Sequence, residues 1–206
     1  MSRITAYCHL NEHSCSLNGE VLFVKDNFSP ESWLKQLYRS LELVYPKFHK
    51  MDLLSQAGFI ASELIKRVKP GLVHAYKDDE VAMLFANQSS SLDTDIKFRT
   101  SYETHGAPSP AVFVYTLPNI VLGEIAILNK WYGENMFVVL PKFAPDFFVN
   151  YASILLSTGS KAVLCGWLQI HDEQMDVFLF LIENEGDEGE ELDFNGLGKL
   201  YSSQSK

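Results

Sequence analysis

MFVVL (136–140), PDFFVNYASILLST (145–158), KAVLCGWLQI (161–170) and MDVFLFLI (175–182) follow one another with only short breaks. The first, third and fourth runs are rich in β-branched and aromatic residues and are bounded by turn formers. Such runs read as strands. The second run has Pro145 in its first turn and Gly159 just past its end, the punctuation of a helix. HDEQ (171–174) then joins the last two strands as a tight connection. Strand, helix, strand and strand in this order predict an α/β fold. It would have a mixed, mostly parallel sheet with helices on both faces, ending in an antiparallel strand pair.

The same alternation runs towards the N-terminus. A helix is expected from about Ile120 to Lys130, broken by Gly133, and before it Pro108 and Pro110 lead into VFVYTLPN (112–119), read as extended. VAMLFA (81–86) is another strand, this one read as buried on both faces, followed by polar NQSSSLDTD (87–95) and a short helix to His105. Between Asp52 and Val68 the residues Leu53, Ala57, Ile60, Ala61, Leu64, Ile65 and Val68 recur at helical spacing, and Pro70-Gly71 ends that helix. Ser29-Pro30 looks like the start of another, carrying Trp33, Leu34, Leu37, Leu41 and Val44 up to Pro46. Asn18-Gly19 inside SLNGEVLFV (16–24) signals a hairpin. Beyond the last strand, ENEGDEGEELD (183–193) holds seven carboxylates and no base. Such a block repels itself and reads as a solvated linker. The expected division is a domain over 1–183 and an acidic tail over 184–206.

The whole chain has 206 residues, 47% of them hydrophobic, and a net charge of −9. That is enough apolar material for one sizeable core. No lysine–arginine cluster offers a footprint for nucleic acid. No apolar run reaches the ~18–20 residues of a membrane span, and MSRITAYCHLNEHS lacks the apolar core of a signal peptide. Cys8, Cys15 and Cys165 are too few and too odd in number for a disulfide framework. A cytoplasmic, reducing setting is the expectation, in which the sequon Asn87-Gln88-Ser89 is accidental.

Two features invite a chemical reading. Cys8, His9, His13 and Cys15 lie within eight residues, yet their spacing matches no closed zinc site, and Cys8 and His9 face opposite ways on an extended chain. They are read as strand and turn residues, with no metal expected, and Cys165 as a small buried hydrophobe. The 145–158 helix is stranger. Phe147, Phe148, Val149, Tyr151, Ala152, Ile154, Leu155 and Leu156 point in nearly every direction around its axis. A helix apolar on all sides must be buried on all sides, and one sheet covers only one of them. The other face requires a partner or remains a large exposed patch.

At this point the residues resemble a known family. KMDLLSQAGFIASELI (50–65) is similar to the Met-Asp-x-x-Ser/Thr-Gln helix near the start of bacterial β-ketoacyl-acyl carrier protein synthases. AVFVYTLPNIVLGEIAI (111–127) resembles their Thr/Ser-x-Pro/His-Asn-x-x-x-Gly segment, and VLCGW (163–167) their small-residue strand. The resemblance covers roughly residues 46–183 and implies the N-terminal half of a thiolase-like fold. The first 45 residues fit it poorly. The family's nucleophile is a cysteine just before the all-apolar helix, and gap-free counting from Gly133 puts Lys142 there. The half that carries the family's two catalytic histidines has no counterpart here, and the Gly-rich turn after the first long strand is replaced by Asn87-Gln88-Ser89-Ser90-Ser91.

A ketosynthase-like chain without the nucleophile resembles the chain-length factors, inactive partners of ketosynthases in aryl polyene, flexirubin-type and other polyketide pathways. The resemblance implies a heterodimer or heterotetramer with a full-length β-ketoacyl-ACP synthase, acyl carrier protein met only through that complex, and no cofactor. It places Met136, Phe137, Val138, Val139, Leu140, Phe147 and Phe148 at the partner interface. Phe113, Tyr115 and Thr116 would border the partner's acyl tunnel, with Phe113 and Tyr115 sharing one side of the extended segment. Two other classes remain open: a homodimeric module that binds an acyl chain or carrier protein without catalysis, and an independent enzyme using Lys142 or Cys165. Lys142 reads more simply as a solvent-facing or Asp146-paired lysine.

Overall fold

The computed structural model describes residues 2–172, 174–184 and 189–203. The chain begins with strands β1 (Arg3–Asn11), β2 (Ser14–Leu17) and β3 (Glu20–Val24) and helix α1 (Trp33–Ser40). A 3-10 turn at Pro46–Lys50 leads into α2 (Leu53–Val68) and the single turn α3 (Leu72–Ala75). Then come β4 (Val81–Asn87), α4 (Leu92–His105), α5 (Pro110–Val114) and α6 (Ile120–Asn129). Strand β5 (Asn135–Val139), helix α7 (Pro145–Thr158), and strands β6 (Ala162–His171) and β7 (Gln174–Glu183) complete the stretch that decided the fold. A short β8 (Glu190–Glu191) and helix α8 (Phe194–Ser203) follow.

One mixed sheet runs in the order β3-β2-β1-β7-β6-β4-β5, with β8 beside β1. Parallel pairing is narrower than expected. It joins β4 to β5 and to β6, while the other described pairs are antiparallel. The Asn18-Gly19 hairpin accounts for part of this. Both residues take positive φ, 49° and 89°, which a two-residue hairpin turn requires. It adds β2 and β3 outside β1, and β1 itself lies antiparallel to β7.

The continuous apolar runs resolve into two faces. On β4, Val81, Met83 and Phe85 join a core with α1, α2 and α6, while Ala82, Leu84 and Ala86 join a second core with α7 and α8. On β7, Val177, Leu179 and Leu181 belong to the first core and Phe178, Phe180 and Ile182 to the second. Each fully buried phenylalanine contributes ~1.5–3 kcal/mol of transfer free energy. Asp52 caps α2 by accepting from the Ser55 amide at 2.9 Å, and its other oxygen accepts the Thr94 hydroxyl at 2.8 Å, which ties α2 to α4.

Three local expectations change. Helix α1 starts at Trp33 and ends at Ser40, because the chain turns back through Glu42 at φ 52°, which leaves Val44 exposed. Residues 110–114 are helical rather than extended: Ser109 accepts from the Val112 amide at 3.4 Å and Pro110 occupies the first turn. The third change falls in the segment read as a tail. Residues 185–188 of its acidic run lie outside the described residues, but β8 pairs with β1, and α8 buries Leu197 completely in the second core. Leu197, Leu200 and Tyr201 share one helical face, and that face is what docks.

Candidate functional site

The carboxyl ends of β4, β5 and β6 gather the segments that the sequence singled out, the place where open α/β sheets commonly present their sites. Leu140 continues β5 by donating its amide to the Asn87 carbonyl at 2.8 Å. Asn87, buried, uses its side chain to clamp the polar turn, donating to the Ser90 carbonyl at 2.7 Å and accepting from the Ser90 amide at 2.8 Å. Ser90 sits at φ 55°, a conformation glycine adopts more readily, and the clamp offsets that strain. Gln169 on β6 holds the same turn through the Gln88 amide and the Ser89 hydroxyl. The Ser91 hydroxyl donates to the Thr116 carbonyl, so the turn also anchors the end of α5.

Helix α5 separates the residues assigned to a tunnel. Phe113 is 58% exposed and packs its ring on Phe98, whereas Tyr115 is 9% exposed and donates its hydroxyl to Glu124 at 3.1 Å. Residues two apart in a helical turn diverge, so the two do not share a side. Burial and the Glu124 carboxylate push the Tyr115 pKa up. Glu124 is itself buried and ion-paired to Lys47 at 2.8 Å. Tyr115 is therefore a core anchor. Thr116 is exposed to an intermediate degree and bonds its hydroxyl back to the Phe113 carbonyl at 2.7 Å.

Strand β5 ends the sheet, so its outer backbone groups have no strand partner among the described residues. Val139 is exposed, and Met136, Phe137, Val138 and Leu140 are partly so. Helix α7 lies against this edge: Tyr151 and Leu155 line a recess of ≈ 150 Å³ with Met83, Glu134, Asn135 and Met136. The all-apolar helix is now accounted for face by face. Phe148, Ala152 and Leu155 lie in the core with the sheet, and α8 packs on another side. Phe147, Tyr151 and Ile154 form a stripe left uncovered in whole or part, with the Phe147 and Tyr151 rings stacked at 5.9 Å. Phe148 leaves the interface set, because it is fully buried between Phe143 and Phe180.

Lys142 is exposed in the turn before α7. Beside it, Phe143 is buried among aromatic rings, stacking on Tyr201 at 4.1 Å and meeting Trp167 and Phe178 edge-on at 6.2 and 5.7 Å. Asp176 holds this cluster from β7, accepting the Trp167 indole N–H at 3.0 Å and the Tyr201 hydroxyl. His9 closes it, its ring 4.3 Å from Phe178 and 6.0 Å from Tyr201. Burial pushes the His9 pKa down to about 4, opposed by a hydrogen bond to the Leu200 backbone, and its Nε2 is buried without a partner among the described residues. Sequence reasoning missed this cluster because α8, which completes it, was read as tail.

The thiols are poor nucleophiles. Burial raises the Cys8 and Cys165 pKa values well above normal and pushes Cys15 up to about 12. Cys8 and Cys15 lie in the first core while His9 contacts the second, and His13 is exposed, so these four do not converge. Among the described residues one set with ligand chemistry does: Asp93, His171 and Asp172, within 4.8 Å of one another at the surface. His171 Nδ1 lies 2.9 Å from Asp93 and Nε2 3.6 Å from Asp172. With a carboxylate at each ring nitrogen, the hydrogen bond to Asp93 and the Asp172 charge raise the imidazole pKa, which suits an imidazolium clasp between α4 and the β6–β7 turn.

No family model matches the chain, and no curated protein matches it in sequence. Solved structures match it in fold. One is the ishigamide ketosynthase/chain length factor, with a TM-score of 0.68 at 15% identity over 91% of this chain and 63% of that one. A ketosynthase in complex with its chain length factor from Xenorhabdus doucetiae has a TM-score of 0.61 at 14% identity, covering 90% of this chain and 80% of that chain. A type II polyketide synthase acyl-carrier protein in complex with its ketosynthase gives 0.61 at 10% identity, covering 88% and 62%. The fold is thus the thiolase-like fold of ketosynthases and chain length factors; the match takes in about nine tenths of this chain, more than the half fold over residues 46–183 that the resemblance implied, and this chain spans less than two thirds of the first and third of those chains. No described helix is long and apolar enough to cross a membrane.

Proposed function

We propose that this chain is a non-catalytic, chain-length-factor-like partner of a full-length β-ketoacyl-ACP synthase, docking through β5 and the adjoining stripe of α7. The observation that carries the reading is the open apolar edge. Strand β5 offers unpaired backbone beside Val139, and Phe147, Tyr151 and Ile154 continue the apolar surface on the neighbouring helix. A strand added from a partner would satisfy the backbone groups and cover those side chains together. The interface set is then Met136, Phe137, Val138, Val139, Leu140 and Phe147, with Tyr151 and Ile154 added.

The chemistry at the usual nucleophile position supports a silent subunit. By the family resemblance that position is Lys142, exposed here, and a protonated lysine does not carry an acyl group as a thiolate does. The three thiols are buried and held protonated. The growing chain would reside on the partner's cysteine, and acyl carrier protein would meet the partner. An acidic carrier would be repelled by a chain of net charge −9. Phe113, exposed on α5, would border an acyl tunnel formed between the two chains, with Thr116 next to it. Aryl polyene or flexirubin-type biosynthesis is the setting this reading favours.

Co-expression with the ketosynthase of the same organism tests it. A stoichiometric complex by native mass spectrometry is expected, lost in Val139→Lys. Phe113→Ala should keep the complex and change product length. A chain that stays apart from that ketosynthase, or a complex indifferent to Val139→Lys, would overturn the reading.

A further inference from the structure

The sheet has a second open edge, and the proposed function does not use it. Strand β3 lies at the far end from β5, so the two edges are independent. Its sequence is Glu20-Val21-Leu22-Phe23-Val24-Lys25. Val21, Leu22 and Val24 are exposed, Phe23 is half-buried, and Phe28, a few residues on, is almost wholly exposed. This edge strand has four apolar residues in a row, is charged only at its ends and has no proline to block pairing.

The pattern of those six residues is self-complementary. Two copies laid antiparallel about a twofold axis between Leu22 and Phe23 place Glu20 opposite Lys25, Val21 opposite Val24, and Leu22 opposite Phe23, each pair occurring twice. A parallel arrangement would set Glu20 against Glu20 and Lys25 against Lys25, which repel. The backbone favours the same partner. In the β2–β3 ladder Cys15 pairs with Phe23 and Ser16 with Val21, so Leu22 is the extra residue of a bulge. A regular strand would meet that irregularity with a mismatch, whereas a twofold copy brings its own bulge to the same place.

We infer that β3 is a homotypic docking edge, through which two copies of this chain pair antiparallel about a twofold axis. Such an interface is closed and isologous, so it yields pairs rather than filaments. One strand pair buries less than the ~1,200 Å² of a standard interface, so the association should be micromolar and sensitive to salt. With a ketosynthase bound at β5, the product would be a 2:2 assembly, but the pairing at β3 does not depend on that reading.

Sedimentation equilibrium of the full chain, and of its ketosynthase complex where one forms, provides the test. A species with two copies of this chain is expected at micromolar concentration. Glu20→Lys and Lys25→Glu should each weaken self-association about tenfold, since each creates two like-charge pairs, and the double variant should return to within about threefold. The rescue distinguishes pairing from misfolding, because a damaged hairpin would not be repaired by a second charge reversal. Failure to find a two-copy species up to about 100 μM at low salt would overturn the inference. So would single reversals without effect, or a dimer abolished by Val139→Lys and untouched by Glu20→Lys, which would place the contact at β5.

Discussion

Protonation of His9 should weaken the fold by a predictable amount. The imidazole is 6% exposed, packed at a tilt beside the rings of Phe178 and Tyr201, and bonded to the Leu200 backbone of α8. Burial lowers its pKa from 6.5 to about 4. A base whose pKa is depressed on folding binds fewer protons in the native state, so its stabilising contribution is complete above pH ~6.5 and is lost as pH falls towards ~4. Linkage between those two values gives a loss of about 2 kcal/mol on going from pH ~7.5 to pH ~5. For a chain of this size the loss corresponds to a melting point lower by ~4–8 °C. Urea unfolding of the native chain and of His9→Phe across this range isolates the effect, since every other titrating group is common to both. The native chain should lose about 2 kcal/mol more than the variant. Parallel pH profiles, within ~0.5 kcal/mol, would refute the placement of a neutral His9 under α8.

Leu197→Ala should cost ~2–5 kcal/mol in urea unfolding, because Leu197 is the fully buried contact of α8 and its loss leaves a cavity against the second core. Gly133→Ala should depress soluble yield and melting point sharply. A Cβ there would overlap the Val81 and Asp79 carbonyl oxygens, which are backbone and do not move aside. Thiol titration of the native chain should show Cys8, Cys15 and Cys165 unreactive at neutral pH until urea is added, since all three are buried with raised pKa values.

The elements that were legible in sequence are those whose signal is local. Asn18-Gly19 gave the hairpin, Pro70-Gly71 the end of α2, and Pro145 with Gly159 both ends of α7. The two faces of β4 and β7 were not legible, because a strand buried on both sides has no alternation to read. Helix α5 has its signal in Ser109-Pro110, the same residue pair as the helix-start signal at Ser29-Pro30. The following Val-Phe-Val-Tyr run outweighed it, since β-branched and aromatic residues favour strands until packing decides otherwise. In α8 the spacing of Leu197, Leu200 and Tyr201 is helical, but Gly196 and Gly198 and the acidic run before them argue against a stable helix. Tertiary contact overrides that propensity: Tyr201 reaches Asp176, and Leu197 reaches the core. At the site, the neutral environment of His9 and the divergence of Phe113 from Tyr115 depended on those two misread helices and were hidden with them.

Helices α7 and α8 together bear on where a partner would bind. Had α7 lacked a cover, its whole outer face would be a candidate surface, and Phe148 would belong to it. With α8 in place, helices α1, α2 and α6 occupy one side of the sheet and α7 and α8 the other, so what is left open among the described residues is the pair of edges and the stripe of α7 beside one of them. These edges differ in kind. Strand β5 is flanked by an apolar helix that leaves Phe147 and Tyr151 partly and Ile154 largely uncovered, a surface that would suit a partner with layers of its own. Strand β3 has a two-residue turn at one end and an oppositely charged pair at its limits, a surface that a single strand can match. On the proposed function, the apolar, layered edge would take a folded partner of similar architecture. The short edge with balanced charges would pair with its own copy on the inference above, and a charge reversal at Glu20 should separate the two events without touching the first.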